Sequence, residues 1–100
     1  MVGKITWSPK AVVTYAAVIE YLLEEWTEKE IRNFVSRVDK KLQLLKTQPL
    51  IGRASGKKPH YYRTLVHKRV TLVYHYKPVK KEIELVIFWN HWRDPKQLRY

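Results

Sequence analysis

Nine side chains in the second half of the chain have the chemistry to handle a phosphodiester: Arg53, His60, Arg63, His67, Arg69, His75, His91, Arg93 and Tyr100. RNA can be cut by its own 2′-hydroxyl if a base removes that proton and cations stabilise the phosphorane charge. An acid must then protonate the leaving 5′-oxygen. Histidine suits the base or acid role because its free pKa lies near operating pH. Arginine suits the phosphate through its bidentate geometry. Trp89 and Trp92 could stack on a base. The same residues also have a structural reading. His75 fits a strand histidine with satisfied nitrogens, His60 and His67 fit the surface, Trp89 fits the core, and Arg63 and Arg69 fit a solvated sheet face.

Other chemistries are excluded by composition. The only glycines, Gly3, Gly52 and Gly56, have the wrong spacing for a phosphate-cradling loop. Without cysteine there is no disulfide framework, thiolate zinc site or cysteine nucleophile. His60, His67 and His75 do not have metal-ligand spacing on a helix, so neither metal nor cofactor is expected. Twenty Lys/Arg against nine Asp/Glu leave a net charge of +11. Residues 1–50 hold eight Lys/Arg against six Asp/Glu, and residues 51–100 hold twelve against three. A basic half on an aromatic-rich domain points to a polyanion, either nucleic acid or an acidic protein. A merely solvated basic surface is the alternative.

These side chains need a scaffold, and 100 residues suffice for a single domain, 1–100. The uncharged run from Ala11 to Ile19 is far short of the roughly 20 residues of a membrane span, and the expected location is cytoplasmic. Lys4 to Trp7 reads as an edge or outer strand. Ser8 and Pro9 open a helix whose apolar stripe is Val12, Tyr15, Ala16, Ile19, Leu22, Leu23 and Trp26. Thr27 and Glu30 form a capping-box pattern that starts a second helix. That helix carries Ile31, Phe34, Val35, Val38, Leu42 and Leu45 inward and ends at Gln48-Pro49. A basic loop from Thr47 to Pro59 contains Arg53, Lys57 and Lys58. Three strands follow, His60 to Val66, Arg69 to Tyr76 and Glu82 to Trp89, joined by His67-Lys68 and Lys77 to Lys81. Alternation puts Val70, Leu72, Tyr74 and Tyr76 on one face of the middle strand, and Arg69, Thr71, Val73, His75 and Lys77 on the other. In the last strand, Ile83, Leu85, Ile87 and Trp89 share a face. The expected fold is α+β, in the order β-α-α-β-β-β. Its antiparallel sheet packs against an N-terminal helical hairpin, and the other sheet face is free to work.

The terminal strand Glu84-Leu85-Val86-Ile87-Phe88-Trp89, followed by Asn90-His91-Trp92-Arg93-Asp94-Pro95, resembles the RelE/ParE toxin superfamily of bacterial type II toxin–antitoxin modules. It is most similar to the plasmid stabilisation branch. Trp7-Ser8-Pro9, the helical hairpin, Leu45 to Gly52 and Leu72-Val73-Tyr74 fall in family order. The resemblance implies a compact cytoplasmic toxin neutralised by a cognate acidic antitoxin, with a homodimer or a toxin–antitoxin hetero-oligomer as the assembly. It implies two divergent activities: RelE-like members cut mRNA in the ribosomal A site, and ParE-like members poison DNA gyrase. On the first, the chain is a ribosome-dependent endoribonuclease, an mRNA interferase. Its catalytic set is then His75 or His91 as the proton-transfer group, Arg93 on the phosphate and Tyr100 positioning the substrate, with Arg53, Lys57, Lys58, Arg63 and Arg69 on RNA phosphates. The alternatives are a gyrase poison without nuclease chemistry and a detoxified relic that only binds its antitoxin. Two positions depart from the family pattern: Thr71 stands where RelE-like members place an arginine, and Trp92 stands where the branch usually has one.

Overall fold

The computed structural model describes residues 2–56 and 58–91. A first strand, β1 (Lys4–Trp7), leads into a helical hairpin of α1 (Pro9–Glu25) and α2 (Glu28–Thr47). Four more strands follow: β2 (Arg53–Ala54), β3 (Tyr61–His67), β4 (Val70–Lys77) and β5 (Glu82–Asn90). They form one sheet in the order β1-β5-β4-β3-β2. β2 to β5 pair antiparallel, while β1 runs parallel beside β5 at one edge, reached by way of the helical hairpin. The fold is α+β with the hairpin on one sheet face, as expected. The additions are the parallel pairing of β1 and the short β2, which lies inside the segment read from sequence as loop. No helix among the described residues is long and apolar enough to cross a membrane.

Local chemistry sets the helix ends. Ser8 Oγ accepts from the Ala11 N–H with Pro9 in the first turn, and Thr27 and Glu30 close a reciprocal capping box. The inward residues of α1 are Ala11, Val18 and Leu22, with Tyr15 and Ile19 packed against the core. This stripe is turned from the one read in the sequence: Val12, Ala16 and Leu23 are exposed. The cause lies in two bonds to β5 that fix the helix's rotation. Ser8 Oγ donates to Val86 O at 2.9 Å, and the Phe88 N–H donates to Thr14 Oγ1 at 3.0 Å. On α2, Phe34, Val38 and Leu45 are buried and Ile31 and Leu42 pack beside them, but Val35 points outward.

Those two bonds also complete a β-bulge. Val73 pairs with Ile87 and Tyr74 with Leu85, which leaves Val86 as an extra residue in β5. Simple alternation would keep Ile87 and Trp89 with Ile83 and Leu85. The bulge separates them: Phe88 joins Ile83 and Leu85 in the main core, while Ile87 joins Val73 in a second cluster flanked by Tyr61, Val86 and Trp89. Because the side-chain period of a strand is 2, one extra residue reverses every face after it. In the main core Phe88 meets Trp7 at 5.3 Å and Tyr15 at 5.0 Å between ring centroids.

A second irregularity lies between Leu65 and His67, and the β3–β4 turn is Lys68-Arg69 rather than His67-Lys68. Arg69 is therefore a turn residue, not the first residue of a strand. His67, read from sequence as a surface residue, is a strand residue with 8% exposure.

Candidate functional site

The sheet face turned away from the helices is assembled by register. Arg53 stands directly opposite Arg63, Arg63 opposite Val73, and Val73 opposite Ile87. One step towards one end of the strands, Tyr61 faces His75, which faces Glu84. One step towards the other, Leu65 faces Thr71, which faces Trp89. This outer face thus carries arginines and an apolar strip at its middle and a histidine-bearing group near each end.

Tyr61 organises the first group. The His75 ring stacks on it at 4.3 Å with an interplanar angle of 12°, and the Lys58 ammonium lies 5.3 Å from the same ring centroid. The basic loop thus reaches the face through Lys58. Burial, reinforced by Lys77, His60 and Lys58 and opposed by Glu84, holds the His75 pKa below its ordinary value. His75 is consequently neutral at pH 7 and able to accept a proton.

The second group centres on Thr71. Its Oγ1 shares a 2.8 Å hydrogen bond with His91 Nε2, and the His91 N–H donates to Arg69 O at 2.8 Å. The residue in the arginine slot of the RelE-like pattern thus anchors a histidine. The Arg69 N–H in turn donates to His67 Nδ1 at 3.1 Å. His67 packs against Trp26 at 5.3 Å and Phe34 at 6.1 Å. Burial first, and then Arg37, Lys68 and Arg69, lower its pKa.

The Arg53–Arg63 pair is positioned by a buried tyrosine. Tyr74, fully enclosed in the core, sends its hydroxyl to the loop before β2. There Oη donates to Pro49 O at 2.8 Å and accepts from the Gly52 N–H at 3.0 Å. Gly52 is required by this approach: a Cβ there would lie 2.6 Å from Tyr74 Oη and 2.9 Å from Arg63 O. Each such bond contributes about 1 kcal/mol net, and together they turn a segment dense in Gly and Pro into a strand. Beside the arginine pair opens a cleft of about 510 Å³, whose walls include Arg53, Arg63, Lys41 and Leu65.

Of the residues singled out in the sequence, the structure joins Lys58 to His75 through Tyr61, Arg53 to Arg63 by register, and His91 to Arg69 through the backbone. Lys57, Arg93 and Tyr100 lie outside the described residues. Tyr61 and Tyr74 are not among the residues singled out in the sequence, and neither the burial of His67 nor the bond from Thr71 to His91 is legible there. The aromatic-rich Tyr61-Tyr62 pair next to His60 was the available signal, but only the register reveals that Tyr61 meets His75. No group of three or more metal-ligating residues occurs among the described residues.

Chemically, the face can grip an anion and carries an imidazole, His75, whose pKa is held below its ordinary value among lysines. It does not bring His75 and His91 together. His75 and Thr71 are four residues apart on β4, about 13 Å at the usual strand rise. His91 is tied to Thr71, and His75 lies flat on Tyr61. A general acid or base must come within about 3 Å of the oxygen it serves. The two imidazoles therefore do not flank one phosphate.

Residues 5–95 match a family model described as the ParE toxin of type II toxin–antitoxin systems, parDE. No curated protein matches the chain. Among solved structures, a chain of the chromosomal ParDE toxin–antitoxin system of P. aeruginosa superposes with a TM-score of 0.70 at 16% identity, covering 87% of this chain and 94% of that one. The YoeB/ParE toxin from Agrobacterium tumefaciens gives 0.61 at 15% identity, covering 88% and 98%. A chain of the heterotetrameric YoeB-YefM toxin–antitoxin complex from Staphylococcus aureus gives 0.56 at 18%, covering 87% and 94%. At these identities the likeness is one of fold.

Proposed function

The chain belongs to the ParE toxin family of type II toxin–antitoxin systems, and from that premise we propose that it acts by gripping DNA gyrase rather than by cutting RNA. The observation that carries this reading is the separation of His75 from His91. Transesterification of RNA needs a base at the 2′-oxygen and an acid at the 5′-oxygen of one phosphate. A poison needs neither. It needs a rigid face that binds, and the outer sheet face supplies one, with Arg53 and Arg63 opposed and Tyr61 held between His75 and Lys58 contacts. The toxin works in the cytoplasm, where gyrase and ribosomes are.

Its neutralising partner is an acidic antitoxin. A +11 toxin attracts such a chain over long range. The S. aureus relative of the same fold forms a heterotetramer with its antitoxin, and a dimer is known for that toxin alone. Both assemblies are carried to this chain by analogy.

The second reading, ribosome-dependent mRNA cleavage, is favoured by one feature: on β3, Arg63 lies one register step from Tyr61, the residue on which His75 stacks. Two parallel assays separate the readings. Purified gyrase with supercoiled plasmid is expected to accumulate protein-linked double-strand breaks when the toxin is added. Programmed ribosomes in a purified translation reaction are expected to leave the message whole by primer extension. New mRNA ends within the A-site codon, with gyrase untouched, would overturn the proposal. In that case His75→Ala should abolish cutting.

A further inference from the structure

Three stretches far apart in sequence meet at one end of the molecule. The Val2 N–H donates to Lys46 O in the last turn of α2 at 2.9 Å, and the Gly3 N–H donates to Lys81 O in the β4–β5 turn at 2.8 Å. Lys4 follows in β1, and Lys77 closes β4 opposite Glu82. Lys4, Lys46, Lys77, Lys80 and Lys81 are thereby gathered together. Of the carboxylates beside them, Glu84 lies 3.8 Å from Lys77, and Glu82 accepts from Thr6 Oγ1 at 3.4 Å. Lys80 and Lys81 are exposed and in no ion pair among the described residues. The glutamates collect at the opposite end. Glu20, Glu24, Glu25, Glu28 and Glu30, five of the chain's nine acidic residues, stand around the α1–α2 turn, and all are exposed. Trp26 of that turn packs on His67 at 5.3 Å, and His67 pairs with Val70 at the start of β4. From Val70 to Lys77 the strand spans about 23 Å, and α2 is about 30 Å long. The fold thus makes the molecule a charge dipole.

At the lysine end, the β4–β5 turn carries an apolar side chain with no place in the core. Val79 is 97% exposed, between Lys77-Pro78 and Lys80-Lys81. The Lys81 N–H closes the turn on Pro78 O at 3.2 Å, and Lys81 has a φ of 53°, a left-handed backbone that favours glycine. A cation thus stands where glycine would be less strained. We propose that this end docks on an anionic lipid bilayer, with Val79 entering the headgroup region and the lysines among the lipid phosphates. A lysine's long stem keeps its ammonium with the phosphates while the apolar tip beside it goes deeper. The dipole sets the orientation, because a negative surface attracts the lysine end and repels the glutamate end. Residues 77–81 hold no arginine to fork onto a nucleic-acid phosphate and no aromatic ring for a base to stack on. A valine gains nothing from an acidic peptide's carboxylates, but it gains by leaving water at a bilayer. None of the five lysines lines the cleft beside Arg53 and Arg63. Docking here does not depend on whether gyrase or the ribosome is the target.

The test is sedimentation of the full chain with phosphatidylcholine vesicles, with and without phosphatidylglycerol. Binding is expected to the anionic vesicles alone and should weaken as NaCl is raised. A lysine at an anionic surface strengthens binding by about fivefold, so Lys80→Gln/Lys81→Gln should weaken it by about 25-fold. Lys29→Gln/Lys68→Gln removes the same charge from exposed sites at the glutamate end and should leave binding unchanged. Urea midpoints establish that both variants are folded. Because the chain has no cysteine, Val79→Cys and Glu24→Cys can each carry a single environment-sensitive fluorophore. On the anionic vesicles, emission should shift to the blue from residue 79 and stay in place from residue 24. Equal loss in both lysine variants, which means diffuse charge only, would overturn the proposal. A blue shift at residue 24, or at neither residue, would do the same. So would failure to bind vesicles while an oligonucleotide or poly-glutamate is held through Lys80 and Lys81, which marks a nucleic-acid or protein site.

Discussion

His67 shows how one side chain can carry a pH response. It lies between Trp26 and Phe34, accepts the Arg69 N–H at Nδ1, and feels Arg37 from α2 with Lys68 and Arg69 from the turn; Glu30 of α2 lines the same small pocket. Its pKa is lowered from the ordinary 6.5, above all by burial. As pH falls, the unfolded chain binds the proton first. The stability His67 contributes is therefore complete above pH 6.5 and is lost as pH drops through its folded-state pKa. His75 acts in the same direction. The urea midpoint should fall between pH 7.5 and pH 5, and His67→Asn should flatten part of that fall. The asparagine carbonyl can still accept from the Arg69 N–H but takes up no proton. An unchanged pH slope in that variant would refute the assignment.

Among the elements, β5 is decisive. Its bulge at Val86 transfers Phe88 to the helix side, and α1 answers through Ser8 and Thr14 on the loosened backbone groups. The N-cap of α1, the rotation of that helix and the face change of β5 are thus one arrangement. Phe88→Ala should cost about 3–5 kcal/mol in urea unfolding, the usual cost for a core phenylalanine. A loss below 1 kcal/mol would mean that β5 runs without the bulge. The loop before β3 is organised in a similar way. Tyr74, in the core, reaches out to Pro49 and Gly52, and so the core sets where Arg53 stands.

For the whole molecule the governing quantity is charge. With twelve Lys/Arg against three Asp/Glu, residues 51–100 carry most of the chain's positive charge. The field of that charge raises encounter rates with an acidic partner and is screened over about 10 Å at 0.1 M salt. Stopped-flow association with the proposed antitoxin should slow by about tenfold or more between 50 and 300 mM NaCl, while dissociation changes little. A salt-independent association rate would show that apolar contacts alone guide the encounter.

Much of this was legible in the chain itself, because it rests on local rules. Ser8-Pro9, Thr27 with Glu30, and the β-branched and aromatic runs fix helices and strands through bonds a few residues long. The ordered motifs from Trp7-Ser8-Pro9 to Asn90-His91 carried the family. Features that depend on non-local pairing were not legible. The bulge at Val86, the shift of the β3–β4 turn to Lys68-Arg69 and the strand status of Arg53 each arise from pairing with another strand or from a turn's exact position. An error of one residue there reverses faces. That is why Ile87 and Phe88 exchanged sides, why His67 is buried, and why Val12, Leu23 and Val35 point outward. The residue types of the site were evident from the sequence. Only the register decided that Tyr61 meets His75, that Thr71 holds His91, and that the two histidines stand apart.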